Sequence, residues 1–138
     1  MLKMDGFIGA TTAVIGGRLS AFGSNARLGS GQYMVAEADE SDRSFLLLWP
    51  SIAVLTNIDE EHMESYGGFG DLQQAFADFA NKVPFYGAAI ICLDSENVQR
   101  ILPDIRRRTI TYGRTAQADY QPSGQRAGDF QLARPTIP

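Results

Sequence analysis

The chain has 138 residues, 44% hydrophobic and 20% charged, a composition typical of a single globular domain with a sizeable core. The net charge of −4 argues against nucleic acid as a partner, because no basic stripe is available to neutralise phosphates. No apolar run approaches the ~20 residues of a membrane span, and the first residues show no signal-peptide pattern. The single cysteine, Cys92, lies in an apolar run and fits a reducing, cytoplasmic location.

Glycines divide the first part of the chain into short segments. Met1–Phe7 is typical of the end of a helix that is capped by Gly6. Thr11–Ile15 predicts a strand that ends at Gly16–Gly17, and Arg18–Gly31, rich in Gly, Ser and Asn, predicts a loop.

Two short apolar runs, Tyr33–Ala36 and Ile52–Leu55, have the length and composition of buried strands. Between them, Ser44–Trp49 predicts one helical turn closed by Pro50, with Trp49 as a core residue.

The second half of the chain alternates helices and strands. Asp71–Val83 predicts an amphipathic helix with its first residue as N-cap, and Glu96–Leu102 predicts a second helix. Ala88–Leu93 is an apolar run expected of a parallel strand covered on both faces, and Thr109–Tyr112 predicts another strand. Gln121–Pro138 predicts a tail or incomplete sheet. This alternation predicts an α/β fold with a mostly parallel sheet flanked by helices.

Polar residues follow both apolar runs of the middle segment. Acidic and hydroxyl residues, Glu37 to Asp42, follow the first run, and an amide, a carboxylate and an imidazole, Asn57, Asp59 and His62, follow the second. Ligands bind at the carboxyl ends of parallel strands, so Glu37 and His62 converge on one site if the two strands are neighbours. Such a set suits a divalent cation beside a phosphate. A solvated loop without a ligand is the alternative, and the pattern alone leaves it open.

Six motifs occur in a characteristic order: V-I-G-G at 14–17, N-A-R-L-G at 25–29, V-A-E-A-D-E-S-D at 35–42, T-N-I-D-x-x-H-M at 56–63, P-F-Y-G at 84–87 and T-Y-G at 111–113. Together they resemble the central domain of the Mur ligases, the ATP-dependent amide-bond ligases that build the peptidoglycan stem peptide. Within that family, the motifs are most similar to those of the branch that adds L-alanine to UDP-N-acetylmuramate.

The resemblance implies roles for individual residues. Glu37 matches a Mg²⁺-binding glutamate, and His62 matches a histidine that helps to hold a second Mg²⁺ beside the muramoyl carboxylate and the γ-phosphate of ATP. Asn57 lies at the same strand end and is expected to face the substrate, while no residue is assigned as catalytic. The implied reaction makes an acyl phosphate from ATP and the muramoyl carboxylate, which the amine of L-alanine then attacks.

Parts of the family pattern are missing from the sequence. The glycine-rich P-loop expected shortly before Met1, the motif that contacts adenine, and the N- and C-terminal domains are absent. The resemblance therefore implies a partial central domain, with a motif-bearing core at about 11–120, whose sheet lacks a middle strand. We expect the isolated chain to be inactive and to self-associate through an open sheet edge. A non-catalytic α/β module that binds a metal or a partner is the alternative.

Overall fold

The computed structural model describes residues 11–19, 24–123 and 131–132, so the predicted helix end at Met1–Phe7 lies outside the described residues. The chain divides into two compact units, Met1–Phe45 and Leu46–Pro138. Within the described ranges, no helix has the length and apolar character that crossing a membrane requires.

The first unit contains a three-stranded sheet with the order β2-β1-β3. Its strands are β1 (Thr12–Leu19), β2 (Ser24–Arg27) and β3 (Met34–Ala36). β1 pairs antiparallel with β2 and parallel with β3, which places Val14 opposite Ala36.

Two expectations for the first unit are wrong. β1 does not end at Gly16–Gly17 but runs through both glycines, and its register with β2 shifts between Val14 and Leu19. Glycine is common at such irregularities because it adopts the backbone angles that a bulge needs. The predicted loop Arg18–Gly31 contains β2, whose sequence S-N-A-R lacks the apolar alternation from which a strand is recognised.

The second unit contains a parallel sheet with the order β4-β5-β6. Its strands are β4 (Ile52–Leu55), β5 (Ala88–Cys92) and β6 (Thr109–Tyr112), within a residue of their predicted bounds. Helix α1 spans Phe69–Asn81 and helix α2 spans Glu96–Ile101. Short 3₁₀ turns occupy Ser44–Leu47, Met63–Ser65 and Leu102–Asp104, and a small antiparallel pair joins β7 (Pro122–Ser123) to β8 (Gln131–Leu132). The predicted α/β class with mostly parallel pairing is confirmed.

The two faces of the β4-β5-β6 sheet differ in burial. The inner face is formed by Ala53, Leu55, Ala89 and Ile91, each at most 2% exposed. Helix α2 contacts β5 and helix α1 contacts α2, so the buried residues of these helices cover this face. On the outer face, Ile52 and Val54 of the edge strand are 57% and 56% exposed. Burial of the inner face places the core of the second unit between the sheet and its two helices.

Helix α1 begins two residues earlier than predicted and ends at Asn81. Gly68 is its N-cap, in a backbone conformation with φ 150° that side-chain-bearing residues rarely adopt. Asp71, the predicted cap, lies in the first turn, where its Oδ2 accepts a hydrogen bond from the Gly67 amide at 3.0 Å. A carboxylate is favourable there because it faces the positive end of the helix dipole.

Within the described residues, Tyr33–Ala36 and Ile52–Leu55 do not pair with each other, although a shared site was expected if they were neighbours. β3 pairs with β1 and β4 pairs with β5, so each is an edge strand of its own sheet. β3 is also exposed rather than buried along its three residues. An apolar run identifies a strand but not its partner, because pairing depends on chain segments far away in sequence.

Trp49 is not a core residue, since its side chain is 78% exposed. The Lys82 ammonium lies 4.4 Å from the centre of the indole ring, a cation–π contact at the protein surface.

Candidate functional site

Glu37 follows β3 directly and lies at the carboxyl end of the parallel β1–β3 pair. Its backbone amide donates a hydrogen bond to the Val14 carbonyl at 2.8 Å, which extends the ladder by one residue beyond the strand. Glu37 itself is exposed. The Glu37 backbone is therefore held in place, and its carboxylate lies at the end of the sheet where α/β proteins bind ligands.

The acidic turn after Glu37 uses two of its carboxylates to hold its own backbone. Asp39 Oδ1 accepts from the Ser41 amide at 2.9 Å, and Asp42 Oδ1 accepts from the Ser44 amide at 2.8 Å. Hydrogen bonds from the Ser44 side chain and backbone lower the pKa of Asp42. Arg43 takes a left-handed conformation between these two bonds, with φ 65°. Asp39 and Asp42 thus shape the turn that follows Glu37.

The second polar segment, Thr56–His62, follows β4 in the second unit. The hydroxyl of Thr56 donates to Asn57 Oδ1 at 3.0 Å, and Asn57 Nδ2 donates to Asp59 Oδ2. Between these exposed residues, Ile58 is 1% exposed and anchors the segment in the core. The polar side chains consequently lie on the solvent side of a loop whose centre is buried.

His62 combines an exposed ring with an unfavourable backbone. Its φ of 55° and ψ of 33° are left-handed, and it precedes a 3₁₀ turn without a capping hydrogen bond from its side chain. The imidazole Nδ1 lies 3.8 Å from Glu64 Oε1, and the two side chains are 42% and 77% exposed. A left-handed conformation costs a residue with a side chain roughly 1–2 kcal/mol. The contact with Glu64 does not offset that cost in full, because an exposed contact of this kind contributes little to folding.

The other two strands of the β4-β5-β6 sheet end in polar contacts as well. After β5, Asp94 Oδ1 accepts a hydrogen bond from the Arg114 amide at 2.7 Å, which joins the loops that follow β5 and β6. Burial, the neighbouring Cys92 and the charge of Asp94 raise the pKa of Tyr112 to about 12. Tyr112 therefore keeps its proton across the physiological pH range.

Among the residues that the structure describes, no group of three His, Cys, Asp or Glu side chains is arranged to hold a metal ion. Glu37 and His62 belong to different units, so their convergence stays a prediction. The exposed Glu37 carboxylate nevertheless fits Mg²⁺, which usually takes one or two protein carboxylates and completes its shell with phosphate oxygens and water.

One residue that contacts the polar segment Thr56–His62 is missing from the sequence-based prediction. Asn97, in the first turn of α2, donates a hydrogen bond from Nδ2 to the Ile58 carbonyl at 2.8 Å. The two residues are 39 positions apart, and no local pattern signals a contact over that distance.

Comparison with known proteins shows the family. Residues 18–132 match the Mur ligase middle domain. The chain is 54% identical over 122 residues to a UDP-N-acetylmuramate–L-alanine ligase of Geobacter sp. (strain M21), covering 88% of this chain and 26% of that protein. It is 59% identical over 110 residues to the ligase of the same name from Syntrophus aciditrophicus, covering 80% of this chain and 23% of that protein. The chain thus spans about a quarter of the length of the curated relatives it matches.

Solved structures show the same fold. The UDP-N-acetylmuramate:L-alanyl-γ-D-glutamyl-meso-diaminopimelate ligase of Neisseria meningitides superposes with a TM-score of 0.74 at 24% identity, over 91% of this chain and 44% of that one. The MurF ligase of Thermotoga maritima in complex with ADP superposes with a TM-score of 0.59 at 16% identity, over 83% of this chain and 29% of that one. Sequence match and fold agree: the chain belongs to the Mur ligase family, and its residues 18–132 match the middle domain of that family.

Proposed function

We propose that this chain is part of the middle domain of an ATP-dependent ligase that joins L-alanine to UDP-N-acetylmuramate in peptidoglycan precursor synthesis. The identity of 54% over 122 residues to a ligase of that name carries the proposal. The segment that matches the middle domain, residues 18–132, includes Glu37, Asn57 and His62. ATP as co-substrate is in keeping with a structural neighbour that was solved with ADP. We place the reaction in the cytoplasm, where ATP is available.

The proposed reaction has two steps. An oxygen of the muramoyl carboxylate attacks the γ-phosphorus of ATP, the bond from that phosphorus to the β,γ-bridging oxygen breaks, and ADP leaves. The nitrogen of L-alanine then attacks the acyl carbon, the bond to the phosphate oxygen breaks, and inorganic phosphate leaves. The nitrogen loses a proton to solvent, and an amide bond results.

Three residues of this chain have proposed roles in that reaction. Glu37 supplies a carboxylate for Mg²⁺, which when bound offsets the repulsion between the muramoyl carboxylate and the γ-phosphate. His62 would help to hold a second Mg²⁺ beside the muramoyl carboxylate, and the Asn57 amide would hydrogen-bond the substrate. The isolated chain is inactive in this proposal, because its sequence contains no G-x-x-x-x-G-K-[ST] loop to hold the phosphates of ATP.

A chimera tests the proposal directly. In the Geobacter ligase, the segment that matches residues 18–132 is replaced by the sequence of this chain, and phosphate release is measured. We expect release that requires ATP, UDP-N-acetylmuramate and L-alanine together, while the isolated chain releases none. A chimera that unfolds cooperatively but releases no phosphate, or releases it without L-alanine, would contradict the proposed function.

One observation favours a second role, self-association of the isolated chain. Parallel sheets are normally covered on both faces, yet the outer face of β4 exposes Ile52 and Val54. The neighbours in register on β5 and β6, Ile90 and Ile110, are apolar and half-buried. We propose that a second copy of the chain covers this face. In a solution of this chain alone, the same apolar face on another copy is the surface that can pack against it.

Sedimentation equilibrium distinguishes the monomer from the self-associated chain. We expect Val54→Lys to shift the chain towards monomer, because burying the ammonium in an apolar interface costs free energy. Gln74→Lys, at an exposed position of α1, is the matched control and leaves the association unchanged. A wild-type chain that stays monomeric at every concentration rules out self-association.

A further inference from the structure

The loop Thr56–His62 is attached to the second unit through its central residue. Ile58 buries its side chain, at 1% exposure, and its carbonyl accepts a hydrogen bond from Asn97 Nδ2 at 2.8 Å. The bond is partly buried and joins the loop after β4 to the first turn of α2. A hydrogen bond of this kind is worth more than an exposed one, because water competes with it poorly.

The orientation of the Asn97 amide is determined by its second partner. Arg100 Nη1 donates to Asn97 Oδ1 at 3.2 Å. A guanidinium can only donate and a carbonyl can only accept, so turning the amide over would face donor to donor and acceptor to acceptor. Arg100 therefore holds Asn97 with its NH₂ group towards Ile58.

The local bonds of the loop cannot replace this attachment. The bonds from Thr56 to Asn57 and from Asn57 to Asp59 join exposed neighbours and fix the side chains relative to one another. They do not connect the loop to the sheet or the helices. The bond from Asn97 to Ile58 does so, at the residue that lies between Asn57 and Asp59.

We propose that Asn97 is a positioning residue for the loop Thr56–His62. By binding the Ile58 carbonyl, it fixes the directions of the Asn57 and Asp59 side chains. It also fixes the path of the backbone towards His62. It acts through the loop and touches no substrate. This inference rests on the proposed function for its meaning in catalysis, but the attachment of the loop can be measured without it.

Asn97→Asp is the most informative variant. The carboxylate has nearly the same size and keeps an oxygen for Arg100, but it cannot donate a hydrogen bond to the Ile58 carbonyl. Acidic residues are favourable in the first turn of a helix, so α2 itself is not weakened. Asn97→Ala removes the donor without adding a charge. It therefore separates loss of the hydrogen bond from repulsion between a carboxylate and the Ile58 carbonyl oxygen.

Gln99→Glu is the matched control. Gln99 lies on the same helix and donates from Nε2 to the Leu93 carbonyl at 2.7 Å, also in a partly buried setting. The substitution makes the same chemical change, an amide donor to a carboxylate, away from the loop that follows β4. Both variants lose one hydrogen bond of comparable strength.

The readout is amide hydrogen exchange of the full chain, resolved by residue. In Asn97→Asp and Asn97→Ala, we expect the Ser65 and Tyr66 amides, which donate to the His62 and Met63 carbonyls at the end of the loop, to exchange about tenfold faster or more relative to those of β6. In Gln99→Glu, the ratio of loop to strand exchange stays at the wild-type value. The NMR signal of His62, the single histidine of the chain, shifts only in the Asn97 variants.

Several outcomes overturn the proposal. Loop exchange that is unchanged in a folded Asn97→Asp variant shows that the bond does not hold the loop. Equal acceleration at the end of the loop and in β6 shows a general effect on stability, with no specific positioning. In the chimera, Asn97→Asp is expected to lower kcat with little change in the KM for ATP. An inactive wild-type chimera would instead contradict the proposed function and leave the loop result intact.

Discussion

Asp119 and Thr111 are joined by three hydrogen bonds. Asp119 Oδ2 accepts from both the backbone amide and the hydroxyl of Thr111 at 2.8 Å, and the Asp119 amide donates to Thr111 Oγ1 at 3.0 Å. The next residue, Tyr120, donates to the Thr111 carbonyl at 3.0 Å and accepts from the Gly113 amide at 3.1 Å. The chain that leaves β6 is thereby folded back against the strand.

This contact predicts a dependence on acid. The hydrogen bonds from Thr111 lower the pKa of Asp119 below its ordinary 3.8. Since the folded pKa is the lower one, the contribution to stability is present above pH 3.8 and is lost as the pH falls through the folded value. We expect the Asp119 carboxyl carbon and the Thr111 amide to titrate together in NMR spectra, with a midpoint below 3.8. In Asp119→Asn the Thr111 transition should vanish, and its persistence there would assign it to another group.

Gly87 and Gly70 predict opposite effects of the same substitution. A Cβ at Gly87 would lie 2.0 Å from the Ser51 carbonyl oxygen and 2.7 Å from Val83 Cγ1, whereas a Cβ at Gly70 would meet nothing within 4 Å. We expect Gly87→Ala to lower the free energy of unfolding by about 1–3 kcal/mol, since backbone must move. Gly70→Ala, within α1, should raise it by roughly 0.5–1 kcal/mol. Urea denaturation followed by circular dichroism measures both, and equal effects would contradict the close approach at Ser51.

The left-handed backbone of His62 predicts that its side chain serves a purpose other than stabilising the fold. Glycine takes φ 55° without strain, so His62→Gly should leave the free energy of unfolding unchanged or raise it by up to about 1 kcal/mol. His62→Val, β-branched, should lower it by about 1 kcal/mol or more. In the chimera, His62→Gly should reduce phosphate release despite its stability. A marked loss of stability in His62→Gly would instead identify the imidazole as a structural group.

Glu37 predicts a dependence on Mg²⁺. In the chimera, we expect Glu37→Gln to reduce kcat by a factor on the order of 10² or more, because the amide is a poor ligand for a hard cation. Raising the Mg²⁺ concentration should restore part of the activity. Glu96→Gln, at an exposed position in the first turn of α2, is the control and should retain full activity. Wild-type activity in Glu37→Gln would remove this residue from the proposed site.

The elements of the second unit follow closely from the sequence, because each buries one apolar face. The three- and four-residue spacing of Leu72, Ala75 and Phe79 predicts α1, and all three are buried. The apolar run of β5 likewise identifies a strand within one residue. Helix ends are less well predicted, since Asp71 has the chemistry of a cap but Gly68 supplies the backbone conformation.

Contacts between distant segments could not be predicted in the same way. β2 has no apolar alternation and is held by backbone hydrogen bonds to β1, so its sequence resembles a loop. β3 and β4 both read as buried strands, yet Met34 is exposed, and Ile52 is exposed because it lies on the outer face of its sheet. For the candidate site, the sequence placed Glu37 directly after one strand and Asn57 two residues after another, as found. It gave no sign of Asn97, whose role depends on the packing of α2.

The exposed position of Trp49 determines what its fluorescence can report. It is the single tryptophan of the chain, and its indole is already in contact with water and with the Lys82 ammonium in the folded protein. Unfolding therefore changes the surroundings of the indole little, and its emission wavelength is a poor measure of folding. A molecule that covers this part of the surface removes water from the ring and shifts the emission to the blue, so Trp49 is a built-in optical probe for binding at that surface.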